Sequence, residues 1–382
     1  MITKKILKLF LVWRLLLFIP VVLAAAFINL GPSVPYFEIN YFYPNLPEIL
    51  NLSPIKAWAN FDGVHYINIA SKGYINEGRF FPLLSIIIYI LSVGNLYFPI
   101  TFLVALILPN IIFFAALFVF YKLLRLDYND KSAFDVIKAL LIYPLSFFFI
   151  SVYTEGLFLL LSVSCFYLIR KGLWWQASLV AMLLASTRFV GIFMIPVLIY
   201  EFWIIEKPKT FKQYLQIPLM SLISILGAVA YSIYNYFKWG DFLYFLNAHT
   251  TLGNGRTSSE LILPLQTIYR YFKILTQMPF TKFEWSVALL ELISFIFTTV
   301  LLFIAWRKKV RLSYLIFGCL VFFLPSFSGT FSGLPRYTLA AFPIFIALGL
   351  IKNKYIKIGY YLVSVILTFV LLMFFTRAYF IA

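Results

Sequence analysis

The segment YFPITFLVALILPNIIFFAALFVFY, residues 97–121, runs without a single charged side chain. About 20 apolar residues in an α-helix are enough to cross the hydrocarbon core of a bilayer. Because lipid offers no hydrogen-bond partners, a crossing segment has to satisfy its backbone internally, as a helix does. The segment therefore predicts a membrane-spanning α-helix.

Comparable apolar runs recur along the 382-residue chain, which is 63% hydrophobic and only 12% charged. Its mean hydropathy of +0.94 excludes an ordinary soluble domain. We predict an all-α polytopic membrane protein, a single domain over residues 1–382, with about eleven or twelve transmembrane helices. The predicted spans are 6–29, 97–121, 134–150, 154–170, 173–188, 189–205, 213–237, 285–306, 311–327, 337–351 and 356–376, with 80–94 a half-helix or a further span.

The distribution of basic residues predicts the orientation. The net charge is +17, and Lys and Arg cluster near residues 4–8, 122–138, 170–171, 207–212, 307–311 and 352–357. By the positive-inside rule these clusters face the cytoplasm, as does the N-terminus. The two longest polar segments, 30–79 and 238–284, are then outer loops. The bilayer, rather than nucleic acid, is the expected partner of this charge, in the cell membrane of a prokaryote or the endoplasmic reticulum of a eukaryote.

Ionisable residues gather at the predicted outer side. The first outer loop carries Asp62, His65 and Arg79, and the outer ends of other spans carry Glu155, Arg188, Asp241 and Arg336. Charged groups near bilayer depth are costly and tend to be functional. Taken singly, an acid here can cap or begin a helix, and an arginine can extend to lipid headgroups. Their common side favours one site over separate structural roles.

These residue types suit group transfer from a lipid phosphate. Arginine presents a planar fork to phosphate oxygens, and a carboxylate can remove the proton of an attacking hydroxyl. If residues 53–72 are helical, Asp62, His65 and Tyr66 share one face at spacings of three and four. The sequence therefore indicates transfer of a group from a lipid phosphate to a hydroxyl.

Other chemistries lack their motifs. The chain has no His-Glu-x-x-His sequence, no Gly-rich phosphate loop and no Walker-type lysine motif. Its two cysteines, Cys165 and Cys319, lie in apolar spans and indicate neither a disulfide nor a metal site. No cofactor is predicted. The residue types of Asp62 and Glu155 would allow a divalent ion, but nothing in the sequence supports one.

In its motifs the chain resembles the PIG-V family, the second mannosyltransferase of GPI-anchor synthesis, and its prokaryotic relatives among the GT-C membrane glycosyltransferases. The motifs cover residues 58–343 in family order. They are Phe61, Asp62, Gly63, His65 and Tyr66 with Ile69, Ala70, Gly73 and Tyr74; Phe80, Phe81, Pro82 and Leu83; Tyr143 and Pro144; Tyr153, Thr154 and Glu155; Ser186, Thr187 and Arg188; Gly240, Asp241 and Phe245; and Leu334, Pro335, Arg336 and Tyr337 with Phe342 and Pro343.

The resemblance implies a GT-C-like bundle whose first outer loop carries short interfacial helices. It implies an inverting transfer of mannose from a polyprenyl phosphate to a hydroxyl of a glycolipid, glycan or protein. Asp62 and Glu155 are the expected catalytic residues. The donor phosphate is expected to bind Arg188, Arg336, His65 and Arg79. Acceptor-binding or supporting roles fall to Trp58, Tyr66, Tyr153, Asp241 and Tyr337.

Two other classes compete with a transferase. A transporter or lipid flippase also needs charged residues at membrane depth, but it typically shows inverted repeats and a mid-membrane site. Here the charges gather at one side, and no second half repeats the first. A non-catalytic membrane partner of another enzyme would not need carboxylates and arginines on the same side.

The orientation is testable by tag accessibility. A tag inserted between Leu30 and Lys56 should be labelled by an impermeant reagent on intact cells. One inserted between Arg307 and Arg311 should be labelled only after permeabilisation, because that basic cluster is predicted to be cytoplasmic. The reverse pattern would turn every proposed site residue towards the cytoplasm.

Overall fold

The computed structural model describes residues 2–32, 46–251 and 261–382. It is 76% helical, and in these ranges the only β-type pairing is an isolated bridge between Ile262 and Ser328. The prediction of an all-α polytopic membrane protein is confirmed. Parts of both predicted outer loops, residues 33–45 and 252–260, lie outside the described residues.

Helices follow one another along the whole described chain, separated mostly by short turns. The α-helices are α1 (Ile2–Leu16), α2 (Phe18–Phe27), α3 (Glu48–Asn51), α4 (Ser53–Lys56), α5 (Asp62–Lys72), α6 (Leu83–Leu91), α7 (Phe98–Leu124), α8 (Asp130–Ile142), α9 (Glu155–Arg170), α10 (Trp174–Ala185), α11 (Met194–Glu206), α12 (Phe211–Trp239), α13 (Tyr244–Thr251), α14 (Pro264–Gln277), α15 (Phe283–Arg307), α16 (Leu312–Ser326), α17 (Leu334–Ala340), α18 (Pro343–Gly349) and α19 (Lys354–Thr376). Three 3₁₀ helices lie between them: Ala57–Ala59, Ser146–Phe149 and Phe189–Phe193.

Six helical segments among the described residues are long and apolar enough to cross a membrane: Ile2–Phe27, Phe98–Leu124, Phe189–Glu206, Phe211–Trp239, Phe283–Arg307 and Lys354–Thr376. This is fewer than the eleven or twelve spans predicted. Shorter helices occupy the remaining predicted spans, which are 134–150, 154–170, 173–188, 311–327 and 337–351, together with the segment 80–94.

Prolines interrupt two of the predicted spans. Pro144 disfavours a helical conformation at the residue before it, and α8 accordingly ends at Ile142, with Tyr143 extended at ψ 137°. A 3₁₀ helix, Ser146–Phe149, fills the rest of that predicted span. In the first span, Pro20 cannot donate a backbone hydrogen bond to Leu16, and the helix is interrupted at Leu17 between α1 and α2.

The chain divides into two compact units, the first comprising Met1–Ser164 and Gly349–Ile381. Its core is rich in stacked aromatic rings. The rings of Phe113 and Phe149 lie 4.6 Å apart and nearly parallel, and Phe147 and Phe148 pack against Phe375 of α19. Through these contacts the last long helix joins the core formed by the first 164 residues.

The second unit comprises Cys165–Leu348, with Ala382. Helices α10 and α12 pack closely because Gly227 has no side chain: a Cβ there would lie 2.1 Å from the carbonyl oxygen of Met182. At another point Arg311 forms a bidentate ion pair with the fully buried Glu201, with Nε–Oε1 at 2.6 Å. Such a pair keeps two charges compensated inside an apolar bundle. The prediction that residues 1–382 act as a single domain stays a prediction.

Candidate active site

The first group of predicted site residues lies in the first unit, around the N-terminus of α5. Short helices lead to it, as the resemblance implies: α3, α4 and the 3₁₀ helix Ala57–Ala59. The chain then turns at Asn60 and Phe61, so residues 53–72 do not form one continuous helix. Asp62, His65 and Tyr66 nevertheless share α5, whose first residue is Asp62.

The turn before Asp62 is strained. Phe61 has φ 56° and ψ −116°, a conformation that a residue with a bulky side chain rarely adopts. Its buried ring contacts those of Phe375 and Phe380 at 5.7 and 5.8 Å. The Asn60 amide donates to the carbonyl oxygen of Phe375 at 3.2 Å. The C-terminal part of the chain therefore holds this turn in place, and such over-determined strain is concentrated at functional sites.

The segment before α9 lies against the same turn. The backbone N–H of Val152 donates to the carbonyl oxygen of Trp58 at 2.9 Å. The backbone N–H of Asp62 donates to the hydroxyl of Tyr153 at 3.4 Å. Gly63 allows this approach, since a Cβ there would lie 3.2 Å from the Cβ of Val152. Buried Glu155 begins α9 two residues after Tyr153.

Three further predicted site residues contact the ring of Phe80. The His65 ring stacks on it at 4.8 Å, the Arg79 guanidinium lies 4.7 Å from its centre, and Tyr66 meets it edge-on at 5.2 Å. Burial lowers the pKa of His65, and the positive charge of Arg79 lowers it further, against the opposing effects of the Asp62 and Glu77 carboxylates. His65 is therefore a neutral hydrogen-bonding group at pH 7, rather than a cation.

Glu77, to which the sequence analysis assigned no role, organises the end of this loop. Its Oε1 accepts from the Asn68 amide at 2.6 Å. Its Oε2 accepts from the backbone N–H groups of Ile75 and Asn76 at 3.0 and 2.9 Å. The carboxylate is thus engaged in holding the loop that leads to Arg79, which is a structural role.

The second group of predicted residues lies in the second unit. Arg188 has an extended backbone between α10 and the 3₁₀ helix Phe189–Phe193. Its guanidinium carbon lies 5.5 Å from the centre of the Tyr337 ring, within the range of a cation–π contact. Tyr337 follows Arg336 on α17, which begins after Gly333 in the left-handed conformation at φ 71°. Two motifs about 150 residues apart in sequence thus meet, and the half-buried Arg336 is the residue before Tyr337 in the chain.

Asp241 has a local structural role. One carboxylate oxygen accepts from the backbone N–H of Leu243 at 2.8 Å, and the other accepts from the Asn247 amide at 2.7 Å. These bonds hold the start of α13 after α12 ends at Gly240, where φ is 77°. This geometry favours a helix-capping role over the predicted contact with an acceptor.

A buried polar cluster supports the loop before α17. The hydroxyl of Tyr271 donates to Glu291 at 2.6 Å, contacts the Thr330 hydroxyl at 3.1 Å, and accepts from the backbone N–H of Phe331 at 3.0 Å. Burial and the Glu291 carboxylate raise the pKa of Tyr271, so it stays a phenol. The sequence could have indicated Glu291, an acid inside an apolar span. Its partner Tyr271 carried no such signal.

Among the described residues, no group of three or more His, Cys, Asp or Glu side chains is arranged to hold a metal ion. Cys165 and Cys319 are both free thiols. The two groups of predicted residues therefore offer carboxylates, arginines, an imidazole and aromatic rings. These groups suit binding of an anion and transfer of a proton.

A scan against protein-family models finds no match for the chain, and a search of curated proteins finds none either. The family resemblance and the roles that it implies stay predictions.

The protonation of His65 can be measured directly. The chain has two histidines, so His249→Gln leaves His65 as the only imidazole. We expect NMR titration of that variant to give a pKa below the ordinary value of about 6.5. Removing a cation with Arg79→Gln should raise the pKa, and Asp62→Asn should lower it.

The lowered pKa of His65 also determines how the stability of the folded protein depends on pH. Because the folded protein holds this proton less tightly than the unfolded chain, the contribution of His65 to stability is complete above about pH 6.5 and declines as the pH falls below it. A folded-state pKa at or above 6.5 would contradict the burial argument.

Proposed function

We propose that the chain is a membrane mannosyltransferase of the GT-C type, related to the PIG-V family, which uses a polyprenyl-phosphate mannose donor. The observation that supports it most is the setting of Asp62. This half-buried carboxylate begins α5 immediately after the strained Phe61, close to Tyr153 and His65. A carboxylate held by such a turn is fixed in position, as a catalytic base needs to be.

In the proposed reaction, Asp62 takes the proton of the acceptor hydroxyl. The hydroxyl oxygen forms a bond to C1 of the mannose as the bond from C1 to the phosphate oxygen breaks. The electron pair of that bond leaves with the polyprenyl phosphate, and the configuration at C1 inverts. Buried Glu155 begins the neighbouring helix α9 and is proposed to accept a hydrogen bond from the acceptor.

The leaving phosphate gains negative charge in this step and needs cationic partners. Arg188 and Arg336 are proposed to supply them, because Arg188 contacts the Tyr337 ring and Arg336 precedes Tyr337 on α17. His65 and Arg79, which share the ring of Phe80, are the other residues proposed for binding of the donor phosphate. A neutral His65 would donate a hydrogen bond to a phosphate oxygen through its one ring N–H. Trp58 and Tyr66 remain candidates for supporting or acceptor contacts.

The central test is the variant Asp62→Asn. It preserves the shape of the side chain and removes its basicity, so turnover should fall ~10²–10⁴-fold while donor binding changes little. Glu155→Gln should mainly weaken acceptor affinity. The measurement is mannose transfer at saturating donor and acceptor, with the product identified by mass spectrometry across a panel of lipid-linked and protein acceptors.

A matched control is Asp135→Asn, because that carboxylate is paired with Lys357 at 2.7 Å on another helix of the same unit. Turnover per folded molecule should be unchanged in this variant. Near-parental turnover of well-folded Asp62→Asn would remove Asp62 from the mechanism. Movement of the lipid across the bilayer without transfer by the parent protein would favour a transporter or flippase.

The arginines are tested through donor affinity. Arg188→Lys and Arg336→Lys keep the charge but lose the bidentate fork, so binding of polyprenyl-phosphate mannose should weaken. The alanine variants should lose more, about 2–5 kcal/mol if the phosphate is otherwise desolvated. Arg307→Lys, an exposed arginine at the end of α15, is the control. Unchanged donor affinity in both alanine variants would leave these arginines with a structural role only.

A further inference from the structure

The first candidate span contains an arginine that the proposed reaction does not use. Arg14 lies on α1, within Ile2–Phe27. Its Nε donates to the side-chain oxygen of Asn110 on α7 at 2.9 Å. Its guanidinium carbon lies 4.2 Å from the centre of the Trp58 ring and 4.4 Å from that of Phe18. All four residues belong to the first unit.

Two donors of this cluster are buried without an acceptor. Among the described residues, neither Nη1 of Arg14 nor Nε1 of Trp58 has a hydrogen-bond partner. Trp58 is only 3% exposed, so bulk water does not reach its indole N–H readily. A buried donor normally has a partner, and here two donors without one belong to side chains that lie against each other.

The geometry also limits what that acceptor is. The rings of Trp58 and Phe18 lie against the guanidinium, and Asn110 takes Nε. The N–H donors that remain lie along the edge of the guanidinium, and such an edge suits an oxyanion. Trp58 lies on the segment before Asp62, so the cluster includes a residue of the predicted first outer loop, while Arg14 and Asn110 lie within candidate spans. In a bilayer, the oxyanions at hand are the phosphates of lipids.

We propose that Arg14 and Trp58 form a binding site for the phosphate of a lipid, with Asn110 orienting the guanidinium. The lipid is either an ordinary anionic phospholipid or a polyprenyl phosphate, which share this chemistry. The site belongs to the first unit, whereas Arg188 and Arg336 belong to the second. The site does not depend on sugar transfer, and it is tested by binding alone.

The competing interpretation is a structural strut, in which Arg14 only links α1 to α7 through Asn110. That bond satisfies one of the five N–H donors of the guanidinium. It also leaves the indole N–H of Trp58 without an acceptor. A strut predicts that removing the arginine lowers thermal stability and leaves lipid binding unchanged.

The test uses full-length protein in a phosphate-free maltoside detergent and counts retained lipids by native mass spectrometry. Two matched pairs are titrated: polyprenyl phosphate against polyprenol, and phosphatidylglycerol against diacylglycerol. The parent protein should prefer the phosphate member of at least one pair. In Arg14→Gln and Trp58→Phe, one fewer phosphate lipid should be retained, or at least a tenfold higher concentration should be needed. The same lipid should raise the melting temperature of the parent more than that of either variant.

Two controls isolate the site. Trp13→Phe changes a neighbouring tryptophan whose ring packs on Phe10 and Phe113, and it should retain the lipid. Arg188→Gln should leave the lipid at Arg14 in place, because any lipid that it removes is a different one. The double variant Arg14→Gln/Arg188→Gln should then lose both lipids. Failure of Arg188 to bind phosphate would therefore count against the proposed donor site and leave the Arg14 site standing.

The outcomes are distinct. Dependence on Arg14 for polyprenyl phosphate alone identifies a lipid carrier, and dependence for phosphatidylglycerol identifies a bilayer phospholipid; either supports the site. Equal retention by the parent and by folded Arg14→Gln overturns it. If Arg14→Gln does not fold, Trp58→Phe decides, because it keeps an aromatic ring beside the guanidinium and removes the indole N–H with the five-membered ring that carries it. Unchanged retention in that variant overturns the two-donor site.

Discussion

The demand that every backbone polar group be satisfied away from water governs this molecule. Long helices meet it within themselves, whereas irregular segments at membrane depth need partners from elsewhere in the protein. The turn at Asn60 and the bend at Val152 show how this is done. Val152 donates to the backbone of Trp58, and the Asn60 side chain caps a carbonyl oxygen near the end of α19. Because irregular segments satisfy one another, they lie together, and Asp62 and Tyr153 lie there with them.

The helical nature of the protein followed from composition, because apolar runs in lipid have few other conformations open to them. The number of long membrane-spanning helices did not follow from composition. A hydropathy profile does not show that a helix ends before Pro144 or that the chain changes to a 3₁₀ helix at Ser146. A hydropathy count therefore predicts where apolar helices lie but not how long each of them is.

The candidate site was predictable where its residues carry unusual chemistry for their location. Asp62, His65 and Arg79 stood out as charged or polar groups in an apolar chain, and Arg188 and Tyr337 were placed by motif. The residues that hold the turn before Asp62 in place were not predictable. Phe375 is one phenylalanine among 44, and its contact with Phe61 depends on how the chain folds back over more than 300 residues. The sequence around Phe61 and around Phe375 does not reveal such a contact.

The dependence of the Asn60–Phe61 turn on Phe375 has a consequence for biogenesis. During synthesis, the segment bearing Asp62 emerges long before the last helix leaves the ribosome, and its strained turn lacks the contacts with Phe375 until α19 is in place. Nascent chains and fragments lacking the last helix would hold Asp62 in a relaxed, unorganised loop. The turn before Asp62 thus reaches its final arrangement only once the last helix is in place.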